Sequence, residues 1–250
     1  MRAGLLQTIG IIIRSIGVTL AITIPTVIEV YRGRYRRETG DRRLRWWSAK
    51  LLDFVRLRTR VVNPHAVEIP RGRPCILMSN HSSLYDVPLV FVALPGSIRM
   101  LTKKELFRVP IWGRGLAAGE FVSIDRYDRE QAFRDLAAAR DKMASGIVLW
   151  VAPEGTRSRD GRLGSFKKGG FMLALETGAT IVPIGIRGAR DVLPAKTLRF
   201  ELDREAEVRI GRPIDASTYT IATRDALMAE VERQLRDLTG ELRPSPSTCE

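Results

Sequence analysis

The chain has two histidines, and one stands in Asn80-His81-Ser82-Ser83-Leu84-Tyr85-Asp86, directly after the apolar run Cys75–Ser79. An Asp five residues beyond a His can fold back through a turn and accept a hydrogen bond from one imidazole nitrogen, with Pro88 tolerated in the first turn of a following helix. The other nitrogen is then fixed as an acceptor. That is a general base with its orienting partner, and the attacking hydroxyl would have to come from a substrate. Metal binding is the competing chemistry, but only His65 and Cys75 remain to complete a usual ligand set, so neither a metal nor another cofactor is expected. A structural reading, with Asp86 as a cap and His81 in a turn, fits the spacing equally well. His65, in Asn63-Pro64-His65, reads as a turn residue and Cys75 as a small core residue.

Strand ends are where α/β folds place such groups, and the rest of the chain has that pattern. Strands are expected near residues 60–62, 75–79, 98–102, 121–124, 147–151, 181–187, 198–202 and 207–210, with helices over 129–143, 170–177 and 224–238. Unbroken apolar runs such as Ile147-Val148-Leu149-Trp150-Val151 suit strands covered on both faces. The prediction is a single α/β domain over residues 58–240, with a mixed, largely parallel central sheet flanked by helices. Residues 241–250, with two prolines and polar side chains, read as a disordered tail. Two cysteines, Cys75 and Cys249, exclude a disulfide scaffold and favour a reducing compartment.

The formal net charge is +13, and residues 1–62 hold 13 of the Lys and Arg but only 4 of the Asp and Glu. A nucleic-acid-binding protein would spread its cations over the folded surface; here they flank an apolar segment, so a membrane is the expected partner. Residues 4–28 are almost wholly apolar apart from Arg14 and Pro25, long enough either to span a bilayer or to enter one leaflet. A cleaved signal peptide is disfavoured by Arg14 and the lack of a small-residue cleavage site. Seven arginines between Tyr31 and Arg45 place that side on the cytoplasmic face of the cell membrane. Residues 44–57 bring Leu44, Trp47, Leu51 and Val55 onto one helical face rimmed by basic residues, a helix for an anionic lipid interface or for the protein's own core, the former favoured. Residues 1–57 are therefore expected to form membrane-anchoring helices.

Three further blocks, residues 103–126 (KKELFRVPIWGRGLAAGEFVSIDR), 153–171 (PEGTRSRDGRLGSFKKGGF) and 181–188 (IVPIGIRG), follow NHSSLYD. In order and separation the four blocks resemble those of the glycerolipid acyltransferase family that includes 1-acyl-glycerol-3-phosphate acyltransferases, over about residues 60–215. The resemblance implies that His81 is the base acting on an acceptor hydroxyl and that Asp86 orients it. It implies a fatty acyl thioester of coenzyme A or acyl carrier protein as donor and a lysophospholipid, foremost lysophosphatidate, as acceptor, giving phosphatidate in phospholipid biosynthesis. Arg126 and Arg157 look like the family's phosphate-binding arginines, and Glu154, Gly155, Thr156 and Lys167 belong to the same acceptor-binding set. The family usually has an aromatic residue where this chain has Ala152. Glycerol 3-phosphate, another lysolipid or a lipid-linked sugar are alternative acceptors. The rival of another class is a non-catalytic protein that binds anionic lipid or nucleic acid through its charge.

Overall fold

Side chains on a strand alternate between faces, so a strand apolar at every position needs cover on both sides. The computed structural model, which describes residues 1–70, 72–124 and 129–241, has such strands at the centre of its sheet. Its strands are β1 (Arg58–Val62), β2 (Cys75–Ser79), β3 (Ile98–Lys103), β4 (Val122–Ile124), β5 (Val148–Val151), β6 (Thr180–Arg187), β7 (Glu205–Ile210) and β8 (Ile214–Asp215). Its helices are α1 (Leu5–Tyr31), α2 (Arg37–Phe54), α3 (Asp86–Ala93), α4 (Trp112–Ala118), α5 (Arg129–Ala144), α6 (Gly169–Thr177), α7 (Ala189–Val192) and α8 (Arg224–Thr239). The sheet runs β1-β7-β6-β2-β5-β3-β4, with β8 also on β6. It is mixed and mostly parallel: β6, β2, β5, β3 and β4 run together, and β7 and β8 oppose β6.

Leu77, Trp150 and Val182 point to one face, where they pack with Leu89, Val90 and Phe91 of α3 and Leu52 of α2. Ile76, Met78, Leu149 and Ile181 point to the other, against Phe171 and Leu173 of α6 and Leu227, Val231 and Leu235 of α8. The chain leaves β2 for β3 and returns later to place β5 between them and β6 on the other side. The carboxyl end of β2 is thus flanked by those of two later strands, the crevice in which open α/β sheets hold ligands.

The expected strand at residues 198–202 is not formed. That stretch leaves the sheet and meets the start of the chain instead: Ala3 N–H donates to Phe200 O at 2.9 Å and Leu202 N–H to Met1 O at 2.7 Å, with a single bridge between Arg2 and Glu201. Residues 242–250, read as a tail, lie outside the described residues; Glu241 accepts from Leu163 N–H at 2.7 Å and from Arg236 at 2.6 Å.

Helix α2 begins earlier than its apolar stripe, taking in the basic block from Arg37, and that stripe faces the protein. Leu52 and the following Val55 are buried, Leu44 and Trp47 pack on the same core, and Trp46 is left 45% exposed. Trp47 Nε1 donates to Thr19 Oγ1 of α1 at 2.9 Å, and Arg43 forks onto Glu29 at 2.6 and 2.7 Å. Below them Arg99 of β3 is fully buried, donating to Asp41 Oδ1 at 2.7 Å and to Gly119 O at 2.5 Å. Arg37 closes the cluster by pairing with both oxygens of Glu120 at 2.8 and 2.7 Å. Helix α1 crosses α4 so closely that a Cβ on Gly115 would lie 2.5 Å from Thr23 Cγ2. An apolar cavity of about 80 Å³ remains among α1, α2, α3 and α4. The other side of α1 is open, with Leu5, Leu6, Ile9, Ile13, Ile16, Ile24 and Ile28 exposed.

Candidate active site

Strand β2 ends at Ser79, and the loop beyond it doubles back before α3. Asp86, the first residue of α3, is buried, and its Oδ2 collects three donors: Ser82 N–H at 2.8 Å, Ser83 N–H at 2.9 Å and His81 Nδ1 at 2.8 Å. With Nδ1 committed as the donor to Asp86, Nε2 of His81 carries the lone pair. His81 is 18% exposed and Asp86 0%, so the pair has one outlet, through the imidazole. The five-residue spacing therefore makes the base-and-orienter geometry; Asp86 ties back the loop amides of Ser82 and Ser83 and does not cap α3, whose start has no side-chain cap bond.

The histidine is held from behind as well. Trp150 of β5 meets it edge to face with ring centroids 6.3 Å apart, and the indole Nε1 donates to Ser79 Oγ at 2.9 Å, which in turn donates to Asn80 O. Asn80 clamps onto β6: its Nδ2 donates to Ile186 O at 2.8 Å and its Oδ1 accepts from Ile186 N–H at 2.7 Å. Ser83 Oγ donates to Leu193 O at 2.8 Å. In sequence Trp150 is one more apolar strand residue, and no local pattern marks these supports; the alternation of β5, which turns Trp150 to the α3 face, is the one signal of its place behind the histidine.

The loop after β5 carries the next group of candidates. Glu154 is buried, and its two oxygens accept backbone N–H bonds from His81 and Gly164, each at 2.9 Å. Burial pushes its carboxyl above the usual range, against the lowering effect of those two amides. Both oxygens face protein amides, and a carboxylate repels phosphate, so in this structure Glu154 braces the two loops and does not point to an anion. Ser158 N–H donates to His81 O at 2.7 Å, laying the loop that carries Arg157 alongside the histidine. Gly155 adopts φ +72°, a conformation that side chains rarely take, and a Cβ there would sit 3.3 Å from Lys167 Cγ. Thr156 and Lys167 are exposed and Arg157 half-buried, with no carboxylate on Arg157 among the described residues. These three stay available to an anion. Arg126 lies outside the described residues.

The remaining candidates are elsewhere. Cys75 is buried at the start of β2 and burial pushes its thiol up to about 12, which leaves it an inert core residue. His65 accepts from Arg212 at 3.4 Å on the surface.

A histidine bonded to a buried carboxylate at the end of a parallel strand, with a cation-bearing loop beside them, makes this crevice the candidate active site of an α/β fold. A family model described as Acyltransferase matches residues 59–187, and the chain belongs to that family. Among its relatives is the chloroplastic 1-acyl-sn-glycerol-3-phosphate acyltransferase of Arabidopsis thaliana, 32% identical over 153 residues, which span 61% of this chain and 43% of that protein. The chain thus matches less than half the length of that plant relative. The 1-acyl-sn-glycerol-3-phosphate acyltransferase alpha of Mus musculus is 28% identical over 224 residues, 89% of this chain and 77% of that one. In fold, the chain is similar to the crystal structure of the 1-acyl-sn-glycerophosphate acyltransferase PlsC from Thermotoga maritima. That match has a TM-score of 0.69 and 23% identity, and covers 93% of this chain and 99% of the other.

Proposed function

We propose that the protein is a membrane-associated O-acyltransferase of phospholipid biosynthesis, moving a fatty acyl group from a thioester of coenzyme A or acyl carrier protein to the free hydroxyl of 1-acyl-glycerol 3-phosphate. The observation that carries the chemistry is the hydrogen bond from His81 Nδ1 to an Asp86 already fixed by two amides. Nε2 takes the proton of the acceptor hydroxyl as its oxygen attacks the thioester carbonyl. The tetrahedral oxyanion then collapses, the carbon–sulfur bond breaks, and the departing thiolate takes the proton from the imidazolium. Asp86 stabilises that imidazolium and keeps the tautomer; no acyl-enzyme is formed. Arg157 and Lys167 supply phosphate contacts, Arg through paired hydrogen bonds that Lys cannot copy. Arg126, Gly155 and Thr156 complete the acceptor set.

Membrane association follows from the same reaction, since acceptor and product reside in lipid and the donor headgroup in water. Helix α1 is the lipid-facing element of residues 1–57, long and apolar enough to cross a membrane by length and composition. Its two ends favour the shallower option: residues 1–3 bond to residues 200–202, and Glu29 bonds to Arg43 of α2. Both ends belong to one side, as in a helix lying in one leaflet of the cytoplasmic face. Arginines 34, 36, 42 and 45 are exposed around it.

The test is a mass-spectrometric product assay with the full chain, lysophosphatidate-containing vesicles and a palmitoyl thioester, wild type beside His81→Ala. Phosphatidate from the wild type, reduced about 10²–10⁴-fold in the variant, is expected. Undiminished turnover by His81→Ala overturns the assignment of the base. Product only with glycerol 3-phosphate or another lysolipid overturns the acceptor and leaves the base standing. In the same assay Arg157→Lys should raise the apparent KM for lysophosphatidate and leave that for the thioester unchanged; an equal rise for both removes Arg157 from the phosphate.

A further inference from the structure

The open side of α1 is apolar beside Arg14 except for Gln7, an uncharged groove residue whose Oε1 accepts from Gly4 N–H at 3.0 Å, so Arg14 is the one charge on the groove's α1 wall. Its Nε donates to Gly10 O at 3.2 Å, and its guanidinium carbon sits 4.7 Å from the centre of the Phe54 ring. Stacking on an aromatic face holds the guanidinium plane and leaves its N–H edges free. Among the described residues no carboxylate pairs with it, and its two terminal nitrogens have no protein acceptor. The side chain lines a shallow groove of about 450 Å³ between α1 and the end of α2, floored by Ile11 and Leu202 and walled by Leu6 and Ile13, which are 84% and 63% exposed.

Across the groove stands Arg56, fixed by paired bonds to Asp203 at 2.5 and 2.6 Å. The Arg56 hydrogen bonds hold the Asp203 carboxyl below the usual range, with the Met1 ammonium adding to the effect. Arg56 and the Met1 ammonium thus act on the Asp203 carboxylate, and Arg14 is left without one. An unpaired cation on a lipid-facing helix is costly unless it reaches an anion, and the phosphate layer is where a shallow helix finds one. A fork-shaped donor beside exposed aliphatic walls suits an amphiphile, a charged head on Arg14 and hydrocarbon along Leu6 and Ile13. Free phosphate would leave those walls bare.

We infer that this groove binds the headgroup phosphate of an anionic phospholipid, with the Arg14 guanidinium as the recognising group; a zwitterionic headgroup has the same phosphate but brings its own ammonium against Arg14 and Arg56 and is disfavoured. The inference rests on the lipid-facing reading of α1, and it makes α1 selective for a headgroup where its apolar face alone would bind any bilayer.

The experiment is co-sedimentation of the full chain with vesicles of phosphatidylcholine alone or doped with phosphatidylglycerol. Wild type is expected to favour the doped vesicles, and Arg14→Gln to lose roughly five-fold of that preference, the effect of one cation held at an anionic surface, with neutral-vesicle binding unchanged. Arg45→Gln removes the same charge from an exposed position on α2 and is expected to cost less. Arg14→Lys, which keeps the charge but not the fork, should fall between wild type and Arg14→Gln. Equal losses for Arg14→Gln and Arg45→Gln, or full preference in Arg14→Lys, overturn a guanidinium site. Competition by inorganic phosphate, beyond that of chloride at matched ionic strength, overturns the lipid as occupant. Failure of the wild type to bind either vesicle is a different result and counts against the membrane reading itself.

Discussion

Two buried ionic clusters in this protein draw on the same kinds of groups and arrange them oppositely. At the end of β2, donors converge on one oxygen of Asp86, Glu154 braces from below, and the imidazole of His81 is left with an unused nitrogen toward the outlet. Under α2, Arg99, Asp41, Arg37 and Glu120 bond to one another, to Ser97, to Ser145 and to Gly119 O, all of them protein groups. Burial alone does not separate a reactive cluster from a structural one. The distinction is whether satisfying the buried charges leaves a lone pair facing out.

The contrast breaks most sharply at Asp86. Asp86→Asn presents an amide where three N–H donors converge and removes the charge that stabilises an imidazolium, so kcat should fall by about 10²-fold or more, measured as product per folded molecule. A loss of stability with unchanged kcat would make that cluster structural too. Asp41→Ala should act the other way round: Arg99 keeps its charge and loses its nearest carboxylate, at a cost of about 3 kcal/mol in urea unfolding, with kcat per folded molecule within about two-fold of wild type. The smallest effect is in acid. Arg37, by hydrogen bonding, holds the Glu120 carboxyl below the usual range, so the pair contributes stability that is full above about pH 4.3 and is lost as pH falls through the lowered folded value. Unfolding midpoints between pH 6 and pH 3, roughly the window of that carboxyl, should fall more steeply in wild type than in Arg37→Met. Glu154 runs with the opposite sign: its raised value means that its contribution is full at low pH and declines as pH rises through that value.

Much of this was legible in the residue pattern. The His81–Asp86 spacing announced the pair because a turn of that length is local, and the apolar runs of β2 and β5 announced buried strands because nothing else covers both faces. Glu154 was not legible: its motif placed it with the phosphate ligands, while its partners are backbone amides 73 and 10 residues away, which no side-chain pattern encodes. Nor was Arg99, since arginines are ordinarily exposed and the burial of this strand residue depends on Asp41 arriving from α2. Trp46 and Trp47 look alike in sequence, yet one contacts the core and the other is largely open; a basic amphipathic helix has the same rim whether lipid or protein lies beneath it. Residues 198–202 have a strand's composition, but their hydrogen-bonding partner is the first three residues of the chain, a tertiary fact.

That last pairing joins residues about 200 positions apart, Met1 to Leu202. During synthesis, the apolar α1 emerges long before the segment that will hold its amino end exists. Contacts of such separation form late because the intervening chain must first be ordered. The Ile-rich face has no protein partner in that interval and gains none among the described residues of the finished fold, and a bilayer surface is a natural place to keep it from self-association. If the proposed function holds, the closing step of folding is the arrival of residues 200–202 beside a helix already resting in lipid, and the membrane would then take part in assembly before it supplies a substrate.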